Sequence, residues 1–413
     1  MKIVIVGNGI AGNSAASAIK RYEREAKLTI LSEEEDCLYS PCAFQKYLAG
    51  EMREEDLFLK TREDYCKDGI EIAFGEKVLE IDAEKNLVKT GKRTIPFDKL
   101  ILATGGKTLI PSIPGREKKG VFSLKTMANA QSIFNYKAQK VAILGSGPTG
   151  IDAAIALRKR GMEVFLTSRR HILPRRFDEG PALVLQKILE NHGIRVFTKE
   201  IAKEIEGRQK LRSVSTEKRR IPCDMVIFGT GLRPNIDLGK MIGCEVGRLN
   251  GIKTNDHMET NIHGVYACGD CIESRNRISG ENALNLLWPN AKQQGWTAGC
   301  NCVEQSRKFP GSMDSSVMEI FGTYAVSAGK TGTELEQEKR PFRVMEKGNE
   351  KEFRRLIISE ERLVGLQLIN RSEQAGILIS KMVRGDKLPK LPLTPHPALA
   401  AKVPWKYWWD RVL

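Results

Sequence analysis

Two short glycine loops carry the most direct chemistry in this chain. One is Lys2-Ile-Val-Ile-Val-Gly7-Asn-Gly9-Ile10-Ala11-Gly12, the other Lys140-Val-Ala-Ile-Leu-Gly145-Ser-Gly147-Pro148-Thr149-Gly150. Each follows an apolar, strand-like run and opens an Ala-rich, helix-like one. In such a unit the first Gly permits the tight turn and the second lets backbone approach a pyrophosphate. The third lets helix and strand lie close, and the helix N-terminus faces the phosphate charge. A single loop of this kind is a weak signal. Two in one chain, each in strand–turn–helix context, argue for two dinucleotides and so for electrons passing between them. A third signal is the thiol of Cys42. Lys46 lies one turn further on if that stretch is helical, and a thiolate, the reactive form, needs positive surroundings. The opposing reading is a small buried hydrophobe, the commonest fate of a free Cys.

The elements that must position these residues follow from the apolar runs. Leu28-Thr-Ile-Leu-Ser32-Glu33 reads as the second strand of the first unit. Its end should meet a ribose, where diol recognition favours a carboxylate. Glu33 is the candidate, with Ser32 in the usual carboxylate position. Residues 98–104 form another buried strand ending in Ala103-Thr104-Gly105-Gly106, and Pro111, Pro114 and Gly115 then mark a crossover. The second unit runs from about 138 to 235 and closes on Val226-Ile-Phe-Gly-Thr230-Gly231, an internal echo of the first Thr-Gly turn. Its second strand, Glu163-Val-Phe-Leu-Thr167-Ser168-Arg169-Arg170, ends without a carboxylate. Ser168 with Arg169 and Arg170 favours a 2′-phosphorylated nicotinamide dinucleotide, or tolerance of both forms. The chain then returns to an apolar strand at Gly264-Val-Tyr-Ala-Cys-Gly269-Asp270. From about 318 onward strand-like alternation predicts a third, α+β domain.

Composition sets wider limits. The chain has 413 residues, enough for two or three domains, and 41% hydrophobic content supports sizeable cores. No run of about 18 apolar residues suggests a membrane span, and no signal peptide is read. Nine scattered cysteines fit a reducing cytoplasm better than a disulfide scaffold. Cys268-Gly-Asp-Cys271 has metal- or redox-like spacing but overlaps Asp270, and its cysteines are read as packing residues. No ligand cluster supports a metal site. The formal charge of +15 favours solubility or attraction to an acidic partner. No nucleic-acid motif is present.

In order and spacing, the loops at 7–12 and 145–150, Ala103-Thr104-Gly105, Gly229-Thr230-Gly231 and Thr260…Tyr266-Ala-Cys-Gly269-Asp270 resemble the FAD-dependent pyridine nucleotide–disulfide oxidoreductase superfamily over almost the whole chain. The resemblance implies an α/β fold of two Rossmann-like dinucleotide-binding domains plus a C-terminal α+β interface domain. The boundaries are 1–110 with 240–317 for FAD, 111–239 for NAD(P)H and 318–413 for a homodimer interface. It implies that Gly7, Gly9 and Gly12 cradle the FAD pyrophosphate, that Thr104 and Gly105 line the crossover, and that Asp270 bonds the ribityl chain. It also implies a helix starting near Asn290 and Ala291, with its N-terminus toward the flavin. Asn290 reads as its N-cap, with Pro289 ending whatever precedes it.

The segment Leu38-Tyr39-Ser-Pro-Cys42-Ala-Phe-Gln-Lys46 resembles two branches at once. Cys42 falls on the redox cysteine of NADH oxidases and coenzyme A-disulfide reductases. Lys46 falls on the lysine of ferredoxin, rubredoxin and nitrite-reductase flavoproteins, where it would pair with Asp152. The implied acceptor is therefore O2 or a disulfide or persulfide through Cys42, or alternatively an iron–sulfur protein or a larger oxidoreductase complex. Ile10 stands where peroxidase members have histidine. His396 stands near the position of a dithiol-reductase histidine, but is read as part of a Pro-rich turn. The aromatic tail at Trp405, Tyr407, Trp408 and Trp409 reads as a dimer anchor.

Overall fold

The computed structural model describes residues 1–387. His396 and the aromatic tail therefore lie outside the described residues. Two parallel five-stranded sheets organise the molecule. In the first the order is Val265–Ala267, Lys99–Leu102, Lys2–Val6, Lys27–Leu31, Ile70–Ala73. Lys2–Val6 is central, with Val4 opposite both Thr29 and Leu100. Ile3, Val4 and Ile5 are buried on both faces, which is why the run is continuously apolar rather than alternating. Val265–Ala267 arrives from beyond the second unit, so this sheet is assembled from two separate stretches of chain. The second sheet has the order Ile194–Thr198, Glu163–Ser168, Lys140–Leu144, Met225–Phe228, Val121–Ser123. Two crossover strands, Gly106–Thr108 and Leu232–Pro234, pair antiparallel between the units. The hydroxyl of Thr104 donates to Asn235 O at 2.6 Å, and that of Thr230 donates to Leu109 O, so each Thr-Gly turn is tied to the other connection.

The likeness of the two units goes beyond the glycine loops. Each sheet carries a three-stranded antiparallel flap, Val78–Asp82 with Leu87–Thr90 and Thr94–Pro96 in one, Ala202–Glu206 with Ser213–Thr216 and Arg220–Pro222 in the other. In the first, buried Glu76 accepts from Thr90 Oγ1 at 2.8 Å and from Arg93 Nε at 3.0 Å. In the second, buried Glu200 accepts from Thr216 Oγ1 at 2.5 Å and from Arg219 Nε at 3.0 Å. The backbone N–H of Glu76 donates to Ser32 O and that of Glu200 to Ser168 O. The sequence pattern behind both is Thr-x-Lys-Arg-x-Ile-Pro, at Thr90–Pro96 and Thr216–Pro222.

The units differ in the connection between their second and third strands. In the second it is the helix Glu179–Asn191. In the first it contains the 3-10 turn Pro41–Ala43 and the short helix Phe44–Leu48. Phe44, Tyr47, Leu48 and Leu57 leave their own sheet and enter the core of the second unit beside Ile151 and Ile155. Tyr47 stacks on Phe134 at 4.8 Å between centroids.

The third sheet is antiparallel, in the order Ser315–Ile320, Thr323–Gly329, Arg362–Ile369, Phe353–Ser359, Arg343–Gly348. The helix Ala375–Arg384 covers one face through Leu378 and Met382. Asp178 joins this domain to the second unit. Its carboxylate accepts from the backbone N–H of Gly332 and Thr333, the Thr333 hydroxyl, Arg355 Nε and Gln367 Nε2, each at 3.0 Å. Burial opposes ionisation, but these donors win and hold the Asp178 pKa below the usual carboxylate value. An Arg176–Asp314 ion pair lies on the same seam. Among the described residues no helix is long and apolar enough to cross a membrane.

Candidate functional site

The first glycine loop is shaped by what surrounds it. Gly7 has φ of +117°, and a Cβ there would overlap the carbonyl of Ala103. A Cβ on Gly12 would overlap the carbonyl of Gly7, whereas one on Gly9 would meet nothing within 4 Å. The helix Ile10–Tyr22 starts at Gly9 with no side-chain cap, so the first-turn N–H groups around Ile10 and Ala11 stay open to an anion. The second loop repeats the design. Gly145 has φ of +113° and no room for a Cβ beside Gly229, and Gly150 abuts Gly145. The helix Pro148–Lys159 starts uncapped at Gly147, with Pro148 and Thr149 exposed at its first turn. Both loops fit a dinucleotide pyrophosphate: three glycines each, two filled by protein and one facing outward.

Behind the first loop, the helix Ile10–Tyr22 packs on the helix Trp288–Cys302. Cβ atoms at Gly295 and Gly299 would overlap the carbonyls of Ala11 and Ala15, so only glycine allows this approach. Asn290 is not the N-cap. The helix begins earlier, with Leu287 as cap residue and Pro289 inside the first turn, where the missing N–H costs nothing. Asn290 instead ties the helix to the following loop, donating to Asn285 O and Met313 O and accepting from Met313 N. Ala291 is buried beneath the Gly269 turn. Sequence reasoning assigned no role to Gln294. Its side chain is buried, accepts from Gly269 N at 2.9 Å and donates to Ser274 Oγ at 3.1 Å, which fixes the turn that presents Asp270. Cys268 and Cys271 are fully buried and protonated by burial, as packing residues should be.

Cys42 is exposed, in the turn ahead of the short helix. Burial by the surrounding protein still pushes its thiol pKa up. A Ser40 hydrogen bond and the charge of Lys125 lower it, and the charge of Asp152 raises it. Lys46 is not among these influences. Its position in the helix Phe44–Leu48, whose apolar side is buried, leaves the ammonium exposed. The expected Lys46–Asp152 pair is not made. Among the described residues Asp152 makes no ion pair; it is part-buried, and burial lifts its pKa to about 7. The cation that sequence reasoning missed is Lys125, which also lies 3.6 Å from Asp270 and acts on Glu34. Nothing local in the sequence marks it, because it reaches the site from the start of the helix Met127–Asn135. That start is held by Tyr39, whose OH accepts from Met127 N at 3.1 Å and donates to Glu34 at 2.7 Å.

At the ribose end of the first unit Ser32 is buried and donates to Glu34 O, while Glu33 is exposed and paired with Lys77 at 2.7 Å. At the equivalent end of the second, Ser168 is turned inward. Its Oγ accepts from Ser146 at 2.6 Å and donates to His171 O. Arg169 and Arg170 are exposed beside it. Among the described residues no cluster of metal-binding side chains occurs.

Two uncapped glycine loops on separate parallel sheets, with an exposed thiol on the first unit's connection, suit an oxidoreductase that handles two dinucleotides. Residues 1–295 match the pyridine nucleotide-disulphide oxidoreductase family, and the chain belongs to it. It is 31% identical over 417 residues to an NADH oxidase of Methanocaldococcus jannaschii, covering 94% of this chain and 93% of that one. It is also 31% identical over 399 residues to an NAD(P)H coenzyme A polysulfide/persulfide reductase of Pyrococcus horikoshii, covering 94% and 89%. The solved NAD-dependent persulfide reductase from A. fulgidus has the same fold, with a TM-score of 0.90 at 24% identity over 96% of this chain and 80% of that one. The cofactors are FAD and NAD(P)H.

The glycine geometry makes a prediction. Gly12→Ala should destabilise the fold by roughly 1–3 kcal/mol through overlap with Gly7. Gly9→Ala should leave the melting temperature of the flavin-free protein unchanged yet release flavin from the loaded one. Thermal unfolding and bound-flavin absorbance, measured on both variants, separate the two roles. A lower melting temperature of flavin-free Gly9→Ala than of flavin-free wild type would contradict the assignment.

Proposed function

We propose that the chain works as a cytoplasmic homodimer, taking hydride from NAD(P)H and delivering electrons to a persulfide or disulfide through Cys42, with O2 as a further acceptor. The observation that carries this reading is the place of Cys42, exposed on the first unit's connection, immediately ahead of the short helix Phe44–Leu48 that packs on the helix beginning at the second glycine loop. FAD, when bound, supplies the exchange between a hydride donor and a thiol-based acceptor. The chain's own residues then have distinct tasks. Gly7, Gly9, Ile10, Ala11 and Gly12 offer backbone to the FAD pyrophosphate, Ser32 and Glu33 border its ribose, and Asp270 takes the ribityl hydroxyls. Ala103, Thr104, Gly105, Gly231 and Gly269 line the approach. Gly145, Gly147, Pro148, Thr149 and Gly150 receive the nicotinamide dinucleotide. The start of the helix Trp288–Cys302, near Asn290 and Ala291, has no acidic residue in its first turn and favours negative charge on the bound flavin.

The decisive experiment is anaerobic NAD(P)H consumption with coenzyme A disulfide, polysulfide, rubredoxin and ferredoxin in turn, compared with O2. Turnover with sulfur acceptors that disappears in Cys42→Ser supports the proposal. A second reading, electron delivery to an acidic iron–sulfur protein, is favoured by the net charge of +15 and the exposed Lys46. In that case turnover falls steeply with salt, since steering is screened beyond about 8 Å at physiological ionic strength.

Arg169 and Arg170 favour NADPH. Changing both to Ala should raise the KM for NADPH roughly tenfold and leave that for NADH nearly unchanged. Steady-state kinetics with each cofactor tests this, and equal effects on both would remove the arginines from 2′-phosphate recognition.

A further inference from the structure

In the proposed reaction hydride passes from a dinucleotide on the second unit to FAD on the first, so its rate depends on how the two units are held. Two side-chain ties between them are exposed, Gln131 Nε2 to Glu54 and Lys159 Nζ to Glu51, each at 2.8 Å. A third tie is part-buried and lies at the site. The hydroxyl of Tyr39, on the first unit, accepts from Met127 N at 3.1 Å, the first amide of the helix Met127–Asn135 on the second. It donates to Glu34 Oε2 at 2.7 Å. Burial and then the Glu34 charge push the phenol pKa up, so it keeps the proton it donates. The ring is fixed apart from its hydroxyl, stacked on Phe44 at 5.7 Å and edge-on to Phe58 at 6.4 Å between centroids. Next to Met127, the N–H groups of Lys125 and Thr126 both donate to Asn129 Oδ1 at 3.3 Å, which makes the turn 125–127 one piece with its helix. From that turn the Lys125 ammonium reaches back to the first unit, 3.6 Å from Asp270. The turn therefore meets the first unit at two points, Tyr39 and Asp270, on separate stretches of chain.

We propose that Tyr39 is a positioning residue for hydride transfer: its hydroxyl holds the turn 125–127 against the first unit and, with Lys125 at Asp270, sets the angle at which the nicotinamide-binding unit meets the flavin-binding one. One contact alone would leave a hinge; the second removes the rotation about it. A small error in that angle is amplified at the reacting atoms, where misplacement by about 1 Å costs up to a hundredfold in rate. This rests on the assignment of the two dinucleotides to the two units, and not on Cys42 as a redox thiol.

The test is Tyr39→Phe, which keeps the ring contacts and deletes both hydrogen bonds. In the flavin-free protein, hydrogen–deuterium exchange at the Met127 amide should speed roughly five- to tenfold. In the flavin-loaded enzyme, rapid mixing with saturating NAD(P)H should bleach the flavin roughly tenfold more slowly, with flavin content and the half-saturating NAD(P)H concentration unchanged. Gln131→Ala, which removes an exposed bond between the units on the same helix, should match wild type in both measurements. Bleaching at the wild-type rate in Tyr39→Phe overturns the proposal, and so does an unmoved Met127 amide. Bleaching slowed as much by Gln131→Ala overturns it too, since any bond between the units would then serve. Wild-type bleaching by NAD(P)H checks the dinucleotide assignment itself, so its failure and a failure at Tyr39 are distinct.

Discussion

Cys42→Ser should lower persulfide and disulfide reduction by roughly a thousandfold or more, because the sulfur that would form the mixed disulfide is gone. NAD(P)H should still bleach the flavin at close to the wild-type rate. That half-reaction should use the second glycine loop and the bound cofactors without the Cys42 sulfur, and the fold should be unaffected: Cys42 is exposed, and the apolar side of its segment is carried by Phe44, Tyr47 and Leu48. Rapid-mixing absorbance separates the halves, bleaching first and reoxidation by the sulfur acceptor second. A long-wavelength absorbance in the reduced wild-type enzyme, absent from Cys42→Ser, would report the thiolate beside the flavin. Full activity of the variant on every acceptor would make Cys42 a packing residue and move the choice to the electron-transfer reading.

Asp178→Ala should destabilise the protein by roughly 3–5 kcal/mol, the range for removing one partner from a buried charged network. Five donors converge on this carboxylate from the turn at Gly332 and Thr333 and from two strands of the third sheet. Its loss leaves Arg355 and Gln367 facing a void. The effect depends on pH. The folded-state pKa is depressed, so the stabilisation is complete above the ordinary Asp value of about 4 and is lost as pH falls through the folded value. Wild type and Asp178→Asn should therefore differ at neutral pH and converge in acid. Denaturant unfolding across that range checks it, and a gap that persists in strong acid would mean the Asp178 charge is not what holds the seam.

The parts of the site that were legible in the sequence are those made by neighbours in the chain. The glycine loops, the strands that precede them and the Thr-Gly turns are local patterns, and local sterics determine them. Lys125, Gln294 and Asp178 were not legible, because each acts on a group more than twenty residues away and none sits in a distinctive local pattern. The misplaced expectations have the same origin. Lys46 was placed near Cys42 by helical spacing, but Cys42 lies in the turn before the helix, so the two do not share a helical face. Asn290 was read as a cap from its residue type, yet its amide is spent across the chain on Met313. The Thr-x-Lys-Arg-x-Ile-Pro pair was present in the sequence all along. Only the two buried glutamates, Glu76 and Glu200, reveal why both copies need it.

Those paired glutamates show two halves built on one ribbon plan, and the plan has an asymmetry with a practical consequence. In one half, the link between the second and third strands is the helix Glu179–Asn191, preceded by Asp178, and it serves as a mechanical fastening to the third sheet. In the other, the same topological slot holds the turn with Cys42, and its apolar residues are lent to the neighbouring core. The same slot serves anchorage in one half and, in the other, presents an exposed thiol. Variants at Asp178 should therefore show first in melting and Cys42→Ser first in turnover, while changes at Phe44, Tyr47 or Leu48, buried in the neighbouring core, should lower the melting temperature as well.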